Sequence, residues 1–148
     1  MMSTDDRAAI QNVISTYTNC INRRDWSPLP IIFADGAVWE APALPISFDG
    51  KEAILQGIPA MLAATDILCQ LNTPSVITID GDHAAAQCSI RETGSIVREG
   101  IRFEAHGIYD DKLVKTEAGW QFARRTFTLL DNYFTELQAI DFNPMAPR

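Results

Sequence analysis

The chain contains few of the residues on which disulfide and metal chemistry depend. Its 148 residues include three cysteines, Cys20, Cys69 and Cys88, without Cys-x-x-Cys spacing, and two widely separated histidines, His83 and His106. An odd number of cysteines among apolar neighbours is typical of small core residues in a reducing compartment. Two distant histidines with no third ligand at suitable spacing do not predict a zinc site. We therefore expect a cytoplasmic protein with no bound metal.

The short motifs of several large enzyme classes are absent as well. The sequence has no Gly-x-Gly-x-x-Gly, no phosphate-binding loop, no His-Glu-x-x-His and no Gly-x-Ser-x-Gly, so nothing predicts nucleotide, zinc or serine chemistry. No apolar run approaches the ~18 residues of a membrane span, and the first residues lack the basic start and apolar core of a signal peptide. We expect no cofactor and no membrane partner.

Basic residues are scarce. The 12 Lys and Arg are outnumbered by 19 Asp and Glu, which gives a formal net charge of -7. That charge repels a phosphate backbone, and no cluster of Lys or Arg offsets it locally. The adjacent pairs Arg23-Arg24 and Arg124-Arg125 are typical of solvated helix-end and strand positions. Nucleic acid is therefore not expected as a partner.

Helical periodicity dominates the first half of a chain whose length and 47% hydrophobic content suit one globular domain. Apolar residues recur every three or four positions in a first helix of about five turns, after a Ser-Thr-Asp-Asp start that can cap it. Pro28 opens a second, shorter helix, and residues 34–36 interrupt the chain before a short strand over 37–41. Asp49 resembles the capping residue of a third helix, which Pro59 should bend or restart.

Strand character dominates the second half. Residues 75–90 predict a hairpin, because two β-branched or alternating runs flank an Asp-Gly-Asp turn. Residues 101–115 and 120–131 predict two further long strands. Helices followed by long antiparallel strands predict an α+β fold, with the helices on one face of a strongly curved, mostly antiparallel sheet that encloses a pocket. We predict one domain over 1–131 and an irregular tail over 132–148.

Six segments carry a resemblance to a known family in both order and content. They are residues 17–26, 32–39, 48–54, 79–84, 107–114 and 119–122. The chain resembles the SnoaL-like branch of the nuclear transport factor 2 superfamily, which includes polyketide cyclases, scytalone dehydratase and ketosteroid isomerases. The resemblance spans nearly the whole chain and implies a cone-shaped α+β barrel and a homodimer formed through the sheet. It does not specify the reaction, because this architecture hosts several chemistries and proteins with none.

The resemblance also directs attention to one acid and one histidine. In catalytic relatives, an Asp after the first helix works with a His that follows the third helix. Asp25 occupies the first position, but residues 69–74 contain no His. We predict Asp25 as a general base, provided that a dry cavity raises its pKa, and His106 or Tyr109 as the group that polarises or protonates oxygen. The alternatives are a turn carboxylate at Asp25 and a surface histidine at His106.

The predicted ligand-binding residues are aromatic or carry an amide. Tyr17, Trp39 and Tyr109 can line an apolar pocket, and buried phenol hydroxyls seek hydrogen-bond partners. Gln70 and Asn72 can offer amides to the same pocket. Ordinary core packing for the aromatic residues, and loop or outward positions for the amides, remain open alternatives.

These residues lead to a functional hypothesis with one alternative. The hypothesis is a protein that binds an apolar or aromatic carbonyl compound and acts on it, without a cofactor, as an isomerase, dehydratase or cyclase. The alternative is a non-catalytic ligand-binding or dimeric scaffold protein of the same fold. The sequence leaves open whether the protein is an enzyme.

Overall fold

The computed structural model describes residues 4–137, which form three α-helices, one short 3-10 helix (Val97–Glu99) and seven strands. The α-helices are α1 (Thr4–Arg23), α2 (Leu29–Ile32) and α3 (Lys51–Leu62). The strands are β1 (Phe33–Ala41), β2 (Ile46–Asp49), β3 (Ile67–Asn72), β4 (Val76–Asp80), β5 (His83–Ile96), β6 (Ile101–Thr116) and β7 (Gly119–Glu136). None of the helices in this part of the chain is both long enough and apolar enough to cross a bilayer.

The long helix α1 forms where the apolar spacing predicts it. Ile10, Ile14, Tyr17 and Ile21 lie on one face and are buried, so the stripe docks this helix on the sheet. The acidic first turn complements the helix dipole, as does a basic residue in the last turn. The first helix of the sequence analysis is therefore confirmed.

The sheet runs in the order β2-β1-β7-β6-β5-β3, and β4 pairs with β5 beside β3. Every pairing is antiparallel except that of β1 with β7, which is parallel. The α+β class and the mostly antiparallel, curled sheet are confirmed. The sheet does not close into a barrel, since β2 and β3 remain at opposite ends of its strand order.

Several local predictions differ from the structure. Residues 34–36 do not interrupt the chain but belong to β1, and β2 forms directly after Pro42 and Pro45, in a segment for which no strand was predicted. Asp49 does not cap α3, because Gly50 occupies the N-cap with φ 95 and no side-chain hydrogen bond is made there. α3 continues through Pro59. β7 extends to Glu136, past the predicted start of the tail, and residues 138–148 lie outside the described part of the chain.

Strand alternation decides which side chains face the helices. Along β6, Ala105, Tyr109, Asp111 and Leu113 are buried, while His106 between them is only half-buried. Because successive side chains point to opposite faces of a strand, the buried set faces the concave side with α1, and His106 faces the outer side. The residues on the concave face are therefore the ones that can line a site between the sheet and the helices.

Candidate functional site

A cavity of about 110 Å³ lies between the helices and the concave face of the sheet. Its wall is largely apolar, and its lining residues come from α1, α3 and five strands as well as the loop after β1. They are Tyr17, Ile21, Trp39, Leu44, Met61, Leu62, Leu68, Gln70, Glu92, Tyr109 and Phe127. A concave, mostly apolar space with a few polar groups is typical of a small-molecule site.

The only carboxyl group of this lining belongs to Glu92. Glu92 lies directly opposite Gln70 in the β3–β5 register, and Gln70 Nε2 donates a hydrogen bond to Glu92 Oε1 over 2.5 Å. Burial raises the pKa of Glu92, and the bond from Gln70 partly opposes that rise. A carboxyl whose pKa is raised by desolvation can act as a proton acceptor or donor closer to neutral pH.

Two phenols lie in the same lining. Tyr17 and Tyr109 are each 1% exposed, and their ring centroids are 5.9 Å apart in an edge-to-face arrangement. Burial raises the pKa of Tyr17 to about 12, and the charge of Arg125 opposes the rise. Burial likewise raises the pKa of Tyr109 well above its ordinary value. Both hydroxyls therefore stay protonated and can donate hydrogen bonds.

Arg125 lies beneath these phenols and is fully buried. Its guanidinium carbon is 3.7 Å from the centroid of the Tyr109 ring, 4.3 Å from that of Tyr17 and 4.6 Å from that of Phe122. A guanidinium this close to an aromatic face is attracted by the ring quadrupole. Solvated side chains were expected at residues 124–125, and this prediction is wrong for Arg125, because the strand turns its side chain inward.

Asp111 is the ionic partner of Arg125. Its Oδ1 lies 3.6 Å from Arg125 Nε, and its exposure is 2%. Neither side chain completes a hydrogen bond to any other described residue. Burial raises the pKa of Asp111 to about 6, although Arg125 opposes that rise. The pair is a desolvated dipole with its positive end against the phenol rings.

Amides join α1 to β3 at the edge of the cavity. Asn22 donates to the Gln70 carbonyl over 2.9 Å and accepts from the Gln70 backbone N–H over 2.7 Å. Asn72 Nδ2 donates to Thr18 Oγ1 over 2.8 Å. Asn72 is thus placed beside the cavity and not in its lining, unlike the other predicted ligand-binding residues, Tyr17, Trp39, Gln70 and Tyr109.

The structure does not place Asp25 in the cavity. Its exposed side chain accepts hydrogen bonds from the Ser27 N–H and Oγ, at 3.1 and 2.7 Å, and these bonds lower its pKa. Asp25 borders a separate surface groove that shares no residue with the cavity. The expected rise in its pKa is wrong, because the chain turns away at Arg24, whose φ is 54, and leaves the carboxylate in solvent.

His106 is also remote from the cavity lining. Its Nδ1 lies 2.6 Å from Asp131 Oδ1, and its Nε2 lies 3.5 Å from Glu104 Oε1, all on the outer face of the sheet. The structure therefore does not bring Asp25 and His106 together around one ligand. Among the described residues, no group of three or more His, Cys, Asp or Glu side chains could hold a metal ion.

Sequence reasoning missed three ionisable residues of the interior, the partly buried Glu92 and the buried Asp111 and Arg125. Alternation along β5 carries a signal for the first: Ala84, Ala86, Cys88 and Ile90 are buried, and Glu92 continues that inward series. A charged residue at a core-facing position of a strand is uncommon unless it is paired or functional. The same alternation along β6 and β7 points to the other two.

Comparisons with known proteins agree on the fold. A family described as the SnoaL-like domain matches residues 2–126. No curated protein sequence matches the chain. Among solved structures, hexachlorocyclohexane dehydrochlorinase LinA-type3 from Novosphingobium barchaimii superposes with a TM-score of 0.80 at 21% identity, over 93% of this chain and 94% of its own.

Two other solved structures extend the comparison. A candidate scytalone dehydratase from Novosphingobium aromaticivorans has a TM-score of 0.77 at 17% identity, over 89% of each chain. A protein of the nuclear transport factor 2 superfamily from Salmonella enterica serovar Typhimurium has a TM-score of 0.75 at 14% identity, over 95% of this chain and 97% of its own. Likeness at these identities establishes the shared fold alone.

Proposed function

Because the chain belongs to the SnoaL-like family, we propose that its cavity binds a small, largely apolar carbonyl compound and that Glu92 transfers a proton without a cofactor. The reaction would be that of an isomerase, dehydratase or cyclase. The observation that carries the proposal is the position of Glu92: it is the only carboxyl of an apolar lining that also contains two phenols.

The chemistry follows from the two kinds of group. Glu92 takes a proton from the carbon next to the carbonyl, for which a raised pKa makes its carboxylate a stronger base. Negative charge then develops on the carbonyl oxygen, and the hydroxyl of Tyr17 or Tyr109 stabilises it by donating a hydrogen bond. The base and the hydrogen-bond donor thus differ in pKa, so Glu92 can ionise while the phenols stay protonated.

The names of two structural neighbours support this class of reaction. One is named as a dehydrochlorinase and the other as a candidate scytalone dehydratase, and both names denote eliminations. The apolar lining of the cavity suits a substrate of low polarity, and its volume suits a molecule of about one ring.

Hydrogen exchange tests the proposal without knowledge of the natural substrate. Cyclohexanone in D₂O would be followed by NMR, and the wild-type protein is expected to accelerate exchange at the carbons beside the carbonyl. Glu92→Gln keeps the shape and is expected to reduce that rate by about 100-fold or more, the usual contribution of a general base. Asp25→Asn is the matched control and should leave the rate unchanged. Equal rates for wild type and Glu92→Gln would contradict the role of Glu92.

A non-catalytic ligand-binding protein is the second candidate. It is favoured by the Gln70 amide of the lining, whose buried Oε1 has no hydrogen-bond partner among the described residues and can accept one from a ligand without acting as an acid or a base. Binding of cyclohexanone by calorimetry, with no accelerated exchange in the wild type, would support this function over catalysis.

We further propose a cytoplasmic homodimer that pairs through the outer face of the sheet. The free cysteines Cys20, Cys69 and Cys88 suit a reducing compartment. A mass of one chain in solution by light scattering would contradict the dimer.

A further inference from the structure

Arg125 is a charged group with no route to solvent and an unusual set of neighbours. It is fully buried on β7 and contacts the faces of Tyr109 from β6 and Tyr17 from α1 at 3.7 and 4.3 Å. None of its nitrogens completes a hydrogen bond to a described residue. Burying an arginine in this way is costly unless its charge is used or compensated.

Asp111 compensates the charge of Arg125 only in part, because no hydrogen bond joins the two side chains. The closest approach is 3.6 Å, from the Arg125 Nε to a carboxylate oxygen, which is an ion pair without a formed hydrogen bond. Cys88 on β5 is buried directly opposite Tyr109 in the β5–β6 register. Burial and, to a smaller extent, the charge of Glu92 on the same strand raise the pKa of Tyr109. The positive charge is therefore shared between one carboxylate on one side and two phenol rings on the other.

We propose that Arg125 is a positioning residue of the cavity: its cation, lying against the rings of Tyr17 and Tyr109, strengthens the hydrogen bonds that their hydroxyls donate to a ligand oxygen. The inference rests on the proposed function of the cavity and deepens it. A cation on the ring face stabilises negative charge that spreads into the phenol when its proton shifts toward a ligand. The effect needs no contact between Arg125 and the ligand.

A ligand class follows from this arrangement. Donors that strengthen as an oxygen becomes negative select compounds that bind with an ionised or strongly polarised oxygen. Phenols and enols of about one ring meet that requirement and fit the apolar lining. A ketone substrate of the proposed reaction would be held most tightly as its enolate.

The test measures the ionisation of 4-nitrophenol bound to the full-length protein, followed by the absorbance of its phenolate as pH is varied. In wild type, the bound probe is expected to ionise more readily than the free probe. Arg125→Met should lower the ratio of ionised to neutral bound probe by about tenfold. Arg125→Lys, which keeps the charge, should preserve most of the wild-type ratio.

Asp111→Asn provides the decisive contrast, because it removes the charge that opposes Arg125. It should raise the ionised fraction, opposite in sign to Arg125→Met, whereas a purely structural pair would show both variants shifting alike or not at all. The matched control Arg124→Met changes the neighbouring arginine, which bonds Glu40 on the outer face, and should leave the ratio unchanged. Repeating the titration in Glu92→Gln removes the lining carboxylate from the signal.

Folding of the variants is checked by circular dichroism. If Arg125→Met fails to fold, the double variant Asp111→Asn/Arg125→Met replaces it. Removing both buried charges destabilises a protein less than leaving one of them unpaired. Its ratio should fall below that of Asp111→Asn. Equal ratios in those two proteins, or shifts of one sign in all variants, would overturn the role of Arg125. Failure of the wild type to bind the probe would instead contradict the proposed cavity function and this inference with it.

Discussion

Gln70 and Glu92 stand directly opposite each other on β3 and β5, and the Gln70 amide donates to the Glu92 carboxylate over 2.5 Å. Gln70 is 3% exposed and is itself held by Asn22 through two backbone hydrogen bonds. The amide donor is therefore fixed by α1 before any ligand arrives. Its position sets how strongly Glu92 retains a proton.

Removal of the Gln70 side-chain amide should raise the pKa of Glu92 further. Gln70→Leu keeps similar volume but deletes the hydrogen bond that favours the charged carboxylate. NMR titration of the Glu92 carboxyl carbon would measure the shift, and any activity that needs the carboxylate should move to higher pH. Gln87→Leu is the control, because Gln87 bonds the exposed Asp110. An unchanged Glu92 pKa in Gln70→Leu would contradict the coupling.

Asp111 should make the fold less stable as pH rises. Its pKa is raised from its ordinary 3.8 to about 6 in the folded state, so its contribution is fully present below the unfolded pKa and is lost as pH rises through about 6. Compared with Asp111→Asn, wild type should lose about 2 kcal/mol more unfolding free energy between about pH 4 and pH 7. Urea unfolding at both pH values measures this, with Asp110→Asn as the exposed neighbouring control. If the unfolding free energies of wild type and Asp111→Asn change equally with pH, ionisation of the Asp111 carboxyl does not destabilise the fold and this prediction is wrong.

Arg24 should stabilise the end of α1 through its side chain. Its guanidinium donates to the Leu62 carbonyl at 2.8 Å and to the Thr65 carbonyl and hydroxyl at 2.7 Å, which ties α1 to the end of α3. Arg24→Ala should cost about 2 kcal/mol of unfolding free energy, the usual value for charged hydrogen bonds. Arg24→Gly should cost less than Arg24→Ala, because glycine relieves the φ of 54.

Arg23→Ala serves as the control for that series, since Arg23 is exposed on the same helix. Its unfolding free energy should stay within about 0.5 kcal/mol of wild type. Equal losses for Arg23→Ala and Arg24→Ala would contradict the proposed tie between the helices.

Gly57 should control the width of the cavity through Phe48. A Cβ at Gly57 would lie 2.4 Å from the Phe48 ring, which stacks on the cavity residue Trp39 with centroids 5.6 Å apart. Gly57→Ala should therefore press Phe48 against Trp39, weaken cyclohexanone binding by calorimetry and cost about 1 to 3 kcal/mol of stability. Gly36→Ala, where a Cβ would meet nothing within 4 Å, should change neither quantity.

The helices were predictable because their signal is local. The apolar residues of α1 recur at helical spacing within the segment itself. The Asp-Gly-Asp sequence between β4 and β5 is likewise a local signal, typical of a turn. β2 was not predictable, because its four residues follow two prolines and are ordered by pairing with β1. A four-residue strand is too short for its alternation to be recognised, and this one is ordered by its hairpin partner across residues 42–45.

The aromatic wall of the cavity was predictable from the sequence, but the ionisable residues of the site were not. Tyr17, Trp39 and Tyr109 line the cavity, since large residues on helix and strand faces turn inward to bury their area. His106 is three residues from Tyr109 on β6, and strand parity places an odd offset on the opposite face. The burial of Arg125 could not be inferred from its charge, because the neighbouring Arg124 carries the same charge but faces outward and pairs with Glu40.

The parallel pairing of β1 with β7 has a consequence for how the protein acquires its structure. The two strands are adjacent in the sheet, with Val38 opposite Arg124, yet more than half of the sequence lies between these two residues. During synthesis, β1 and β2 leave the ribosome long before β7 exists, so this half of the sheet has an unpaired edge until β7 has been made. Closing so long a loop also makes the pairing slow. The cavity wall formed by Trp39 therefore becomes complete only in the last stage of folding.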